Sequence, residues 1–306
     1  MLQIFNLTIK RMFKIRYIVA YFTILNIAII AASIFMKYSE RFTYFSSLSS
    51  FDSFEENYML LSFLWFCGIP VILSLVAHGA GLFSAEENEG TLCLLVIKPI
   101  SRFKITTGKI SGLIAGQFIY MVISTLFGTI LMTLIMGSDP DVITRLLPLI
   151  PSILLYGLFI IVFFTSIVSF LAVLFKSKIP SLVIVFILVG IYYFCPLFIR
   201  NDFYSKNNKF PDIGYFDVNY HIGLIHRLIT GAGDRVQGTA FFRTLLSFFA
   251  GTFENLKPDV DISFDVNQMV LKGSNLSAVL VLLVYLLFAS MLYYFTFKIM
   301  KKKDIH

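Results

Sequence analysis

Charge is what this 306-residue chain has least of: Asp, Glu, Lys and Arg together make up 14% of it. A soluble chain of this size carries about a quarter charged residues. The deficit is gathered into gaps. No charged residue occurs in 17–36, 57–85, 110–138, 146–175, 179–199 or 273–297. Each gap is long enough for the roughly 20 helical residues that cross a hydrocarbon core. A single Lys or Asp at mid-membrane costs about 2.5–3.5 kcal/mol, so six clean gaps are not a sampling accident. The gaps also lack the period-two alternation of a barrel strand, which excludes sheet as the spanning element.

Cysteine is scarce too. Cys67, Cys93 and Cys195 are an odd three, which gives no disulfide framework; they read as small inert hydrophobes. The spans contain no Asp or Glu, which argues against a proton- or sodium-coupled carrier or an ion channel. Neither Gly-x-Ser-x-Gly nor His-Glu-x-x-His occurs, so an intramembrane hydrolase has no visible machinery. A phosphate loop is missing as well. Gly108-Lys109 is followed by Ile110, and Phe103 stands where the first glycine of such a loop belongs. His221 and His226, five apart with no Cys nearby, do not make a metal site.

What remains is an apolar chain, 58% hydrophobic with a mean hydropathy of +0.83. The expected fold is all-α integral membrane, a single transmembrane domain over 1–306 with six spans. Basic residues give its orientation. Lys10, Arg11, Lys14 and Arg16 precede the first span; Lys98, Arg102, Lys104 and Lys109 flank the second connection; Lys176 and Lys178 hold the fourth; Lys298, Lys301, Lys302 and Lys303 follow the last. Cytoplasmic loops collect Lys and Arg, so both termini and the even connections face the cytoplasm. The net charge of +7 therefore reflects topology, and no nucleic-acid partner is expected.

Residues 1–16 carry Leu2, Phe5, Ile9, Met12 and Phe13 at helical spacing, with Asn6, Lys10 and Lys14 on another side. This is the pattern of an interfacial helix with its cations among lipid headgroups; the alternative is a frayed lead-in to the first span. The apolar stretch that follows is longer than the core of a signal peptide, so a retained helix is expected. The run Ser138-Asp139-Pro140-Asp141 reads as a tight external turn. The segment 200–272 is a large external one. Its run 240–253, with Arg243 as the one charge, is too short to span and reads as an amphipathic or re-entrant helix.

The second connection is the most informative stretch. Ser84 and Glu87 form a capping box, and Glu86, Glu87 and Glu89 suit the positive end of a helix dipole. Pro99 ends the element because it lacks the amide to continue it. The spacing predicts a helix of about three turns over 84–99, apolar on every side past its first turn. Such a rod must lie under the bundle or dock into a partner. From 84 to 109 the sequence resembles the ABC-2 family of ABC transporter permeases. Glu86 and Glu89 precede Gly90-Thr91-Leu92, then come Leu94-Leu95, Pro99-Ile100-Ser101-Arg102 and Gly108-Lys109; Asn88 departs from the acidic residue often found at its position. The resemblance implies a coupling helix that passes motion between a cytoplasmic ATPase subunit and the spans. It implies further that ATP and Mg bind in that partner and that a second copy, or a similar permease, completes the transporter. An exporter in a bacterial plasma membrane is the expected function. A non-transporting complex that works mechanically on an outer partner is the alternative, with a secondary carrier or channel further behind.

Two polar features inside the spans stay open. Gly108, Gly112 and Gly116 stand four apart, which suits a close packing seam. Gln117, Tyr120, Ser124 and Gly128 make a stripe on the third span, and Thr165, Ser166 and Ser169 another on the fourth. Packing is favoured for these over a substrate pathway, since membrane hydroxyls commonly bond to backbone. His78, beside Gly79 and Gly81, is an ionisable residue near the inner end of the second span.

Overall fold

A computed structural model describes residues 1–38, 54–55, 57–83, 101–136, 140–175, 177–199, 215–231, 249–250, 252 and 276–302. Among them are helices and no strand. Among the described residues five helices are long and apolar enough to cross a membrane. The run 84–99, with Glu86, Glu87, Glu89, Gly90, Thr91, Leu92 and Pro99, lies outside the described residues, as do most of 200–272 and of the run 240–253.

Helix α1 (Leu2–Met12) buries Ile4, Thr8 and Met12, one side chain per turn, and leaves Leu2, Leu7, Lys10 and Arg11 exposed. Helix α2 (Ile15–Tyr38) follows after a two-residue break. The second span, Asn57–Gly79, is the centre of the bundle: 78% of its most apolar window is buried, against 22% for α2. It is not one continuous α-helix. A π-helical turn at Ser62–Phe66 closes with the Cys67 amide donating to the Ser62 carbonyl at 3.1 Å. After Gly68 the chain restarts as α3 (Ile69–Gly79), with Pro70 in its first turn, where a missing N–H costs nothing.

Helix α4 (Arg102–Met136) is the longest, at 35 residues. A short helix α5 (Pro140–Leu146) starts at the proline of the expected external turn and leads to α6 (Leu149–Leu174). Helix α7 (Lys178–Ile199) has 22 residues. Helix α8 (Val218–Thr230) lies within the segment read as external. Asp217 accepts from the Tyr220 amide at its start, and Gly231, at φ 66°, ends it in the left-handed conformation that favours glycine. The final helix is α9 (Ala278–Lys302). Helix α6 packs against α9, α4, α3 and α8, while α1 and α2 lie along α4.

Candidate functional site at the ends of the second connection

The connection 84–100 joins the second span to α4, and cations hold the residues on either side of it. On one side, Lys109 of α4 is buried, and its Nζ donates to the carbonyl of Leu82 at 2.8 Å. The same ammonium stands 4.9 Å from the centre of the Phe83 ring, a cation–π distance. On the other side, Ser101 precedes α4 and its Oγ accepts from the Lys104 amide at 3.4 Å, a long N-cap. Arg102 reaches from the first turn of α4 to the end of α9, where Nη1 donates to the carbonyls of Met300 (3.4 Å) and Lys301 (3.2 Å). A cation at a helix C-terminus meets the negative end of the dipole and carbonyls with no helical partner. Two of the sequence-derived site residues, Ser101 and Arg102, thus sit where the connection enters α4. The sequence marked Lys109 as one of the orienting cations and as half of a Gly-Lys pair; the structure buries it two turns into α4.

The glycine stripe of α4 faces α1. A Cβ at Gly108 would stand 3.2 Å from the Met1 carbonyl and from Ile4 Cβ. One at Gly112 would be 2.9 Å from Thr8 Cβ and 3.0 Å from the Phe5 carbonyl, and one at Gly116 2.6 Å from Met12 Sδ. Only residues without a side chain let the two backbones approach so closely. The end of α1 is fixed by Tyr120, whose hydroxyl donates to the Met12 carbonyl at 2.7 Å and whose ring stacks on Phe13 at 4.7 Å. The helix that the sequence suggested for the membrane surface is therefore seated on the helix that follows the connection.

Of the polar stripe on α4, Gln117 is fully buried and its Oε1 accepts from Ser74 Oγ of the second span at 2.9 Å. Its Nε2 has no partner among the described residues. Ser124 returns its proton to the Tyr120 carbonyl of its own helix, at 2.8 Å. On α6, Ser166 bonds to the Phe163 carbonyl at 2.6 Å, whereas the buried hydroxyls of Thr165 and Ser169 have no partner among the described residues. His78 donates from Nδ1 to the Ser74 carbonyl at 2.8 Å and stands edge-on to Tyr17. Among the described residues, no three His, Cys, Asp or Glu side chains come together.

The sequence from 84 to 109 resembles the ABC-2 permeases, and a family comparison agrees on the family. The model of the ABC-2 family transporter protein matches residues 10–191, from within α1 into α7. The chain belongs to the ABC-2 family of transporter proteins. No curated protein matches it significantly. As a member of the ABC-2 family it is a multi-pass membrane protein, the permease component of an ABC transporter and not its ATPase. Permeases of this family generally work with an ATPase subunit and often dimerise. The match takes in the connection 84–100 with both of its anchors on α4, and it ends before α8.

Proposed function

We propose that this permease is an exporter subunit whose connection 84–99 is a coupling helix docked on a separate cytoplasmic ABC ATPase, which binds ATP and Mg. The observation that carries the reading is the bracing described above. A rod joined to the bundle by a buried lysine at one end and an arginine at the other passes displacement into the spans without being lost in slack. Its acid-rich start, Glu86, Glu87 and Glu89, offers charge to a partner surface, and Gly90, Thr91 and Leu92 begin the apolar part.

In this reading α7 is the fifth of six spans. Its 22 residues reach about 33 Å at 1.5 Å each, enough for the hydrocarbon core. Both termini are cytoplasmic, α1 rests at the inner membrane surface against anionic headgroups, and the membrane is the bacterial plasma membrane. A second copy, or a similar permease, pairs with this one so that a path lies between the two. Gln117, Ser124, Thr165, Ser166 and Ser169 are the polar residues available to line it. The mechanical alternative draws support from α8, a helix of the segment read as external, which packs on α6 and α9 and reaches the second span through His226.

The test is Glu86→Lys in the full chain expressed with its ATPase, followed by co-purification and stimulated ATP hydrolysis. Docking predicts a several-fold loss of one or the other with permease abundance unchanged, since a buried charge left without its partner costs several kcal/mol. Gly90→Pro, which removes a mid-helix amide, is expected to be at least as damaging. Full assembly and stimulation in both variants would reduce 84–99 to a plain connector.

A further inference from the structure

The second span is interrupted by a π-helical turn, and α8, which packs chiefly on α6 and α9, reaches that turn through one side chain. Across Ser62–Phe66 the hydrogen bonds run to the fifth residue, a form that occurs mostly as single turns and often at functional positions. Directly after it, Gly68 has no room for a side chain, because a Cβ there would collide with the carbonyl oxygens of Phe63 and Leu64. The span is thus two half-helices meeting at a glycine.

Helix α8 meets this turn through His226. The residue is fully buried, and its Nε2 lies 3.0 Å from Ser62 Oγ. Ser62 gives its single hydroxyl proton to the Met59 carbonyl at 2.7 Å, so toward the imidazole it can only accept. His226 therefore donates from Nε2, and its Nδ1 has no partner among the described residues. The ring is clasped edge-on by Phe63 of the π turn (5.3 Å) and Tyr156 of α6 (4.7 Å). A polar ring is buried there with half its hydrogen-bonding capacity unmet, which costs free energy that a solvated histidine avoids. The hydrogen bond and ring contacts offset that cost only while α8 stays docked. Helix α8 is in turn fastened outward: Arg227 donates to the Thr252 carbonyl at 3.1 Å, and Gly223 lets the Ala250 carbonyl approach.

The outer half of the span is bolted to its neighbours. Tyr58 bonds to Thr129 of α4 at 2.7 Å, Trp65 donates to the Leu25 carbonyl of α2 at 2.9 Å, and Phe66 fills the notch at Gly128. The inner half runs to Leu82 and the braced connection. A π turn holds one residue more than an α turn, so exchanging one for the other turns the two halves by about 100° relative to each other. We propose that this turn is a two-state element, π-helical while His226 of α8 is docked on Ser62 and α-helical when α8 lifts away, with Gly68 as the pivot. The outer segment and the cytoplasmic connection are then the two ends of one switch. Its use in transport rests on the permease reading; its existence does not.

The experiment needs no ATPase, so it can fail while that reading stands. In the full chain with Cys93→Ala and Cys195→Ala, the buried Cys67 at the end of the π turn is the reporter. Purified in mild detergent, Ser62→Ala and His226→Ala are expected to react with N-ethylmaleimide at Cys67 about tenfold faster, or more, than the parent. His226→Gln, whose amide can donate from the same place, is expected to stay within threefold. Cysteines placed singly at buried Val76 and exposed Ala77, with Cys67→Ala, report the inner half. In the His226→Ala background, position 76 should gain reactivity and position 77 lose it. Unchanged Cys67 rates in Ser62→Ala and His226→Ala overturn the proposal, as does a His226→Gln rate matching His226→Ala. Faster Cys67 labelling with 76 and 77 keeping their order means mere local loosening, and overturns the switch. If His226→Ala does not fold, Ser62→Ala carries the same tests.

Discussion

Lys109 donates its ammonium proton to the carbonyl of Leu82 across 27 residues of sequence, at 2.8 Å, closing the second connection at its membrane end. The ammonium is buried, so removing it deletes a charge-assisted bond and the Phe83 ring contact together.

Lys109→Met is therefore expected to lower stability by about 1.5–3 kcal/mol, the range for a hydrogen bond to a charged group. That reads as a fall of several degrees in the unfolding temperature of the purified permease. Lys109→Arg keeps a cation at the site and should lose less. Equal unfolding temperatures for wild type and Lys109→Met would show that the bond carries no weight.

The seating of α1 makes a graded prediction. A side chain at Gly112 meets Thr8 Cβ and the Phe5 backbone, neither of which can yield, while one at Gly116 meets the flexible end of Met12. Gly112→Val should release α1 and speed trypsin cleavage after Lys10 and Arg11 by about tenfold, and Gly116→Ala should change it little. The reverse order of sensitivity would place the contact elsewhere.

How much of this was legible beforehand depends on what hydropathy can see. The uncharged gaps 57–85 and 146–175 locate the spans Asn57–Gly79 and Leu149–Leu174 to within a few residues at most boundaries, because a charge in hydrocarbon is costly wherever it falls. The glycine spacing announced a close-packed face on α4, but spacing does not say which helix fills it; the surface pattern of residues 1–16 included Met12 and passed over Ile4 and Thr8, which fill the seam. The π turn was invisible, since Ser62–Phe66 looks like any apolar run and hydrogen-bond register leaves no mark in composition. Helix α8 was missed although Asp217 and Gly231 are ordinary start and stop signals. Hydropathy within 200–272 points to the more apolar run at 240–253, which lies mostly outside the described residues.

Orientation is checked from outside the cell. Single cysteines at Ser47 and Asn207, both beyond the described residues, are expected to react with an impermeant thiol reagent in intact cells. One at Lys303, also beyond them, is expected not to react until the membrane is opened. Labelling at 303 in sealed cells would reverse the assignment that the basic residues support.

The docking of α8 carries a pH dependence whose sign follows from His226. Burial pushes this imidazole down to about 3, while a solvated histidine titrates near 6.5. Tyr156 of α6 is the titratable group facing the ring, and the second span brings Ser62 and Phe63, neither of them charged. Above about pH 6.5 the imidazole is neutral whether α8 is docked or not, so docking is insensitive to pH. Below it, the undocked form takes up a proton that the docked form refuses. Docking then weakens about tenfold for each further pH unit, down toward pH 3. Docking is thus fully present at neutral and alkaline pH and is lost as the pH falls through this window. The measurement is the N-ethylmaleimide rate at Cys67 from pH 8 to pH 5, divided at each pH by the rate of the His226→Gln variant. The division cancels the reagent's own dependence on thiolate. The ratio should be flat from pH 8 to about 6.5 and rise about thirtyfold by pH 5. A ratio that stays flat throughout would mean that His226 keeps its neutral form in both positions of α8, and the imidazole would be a packing ring alone.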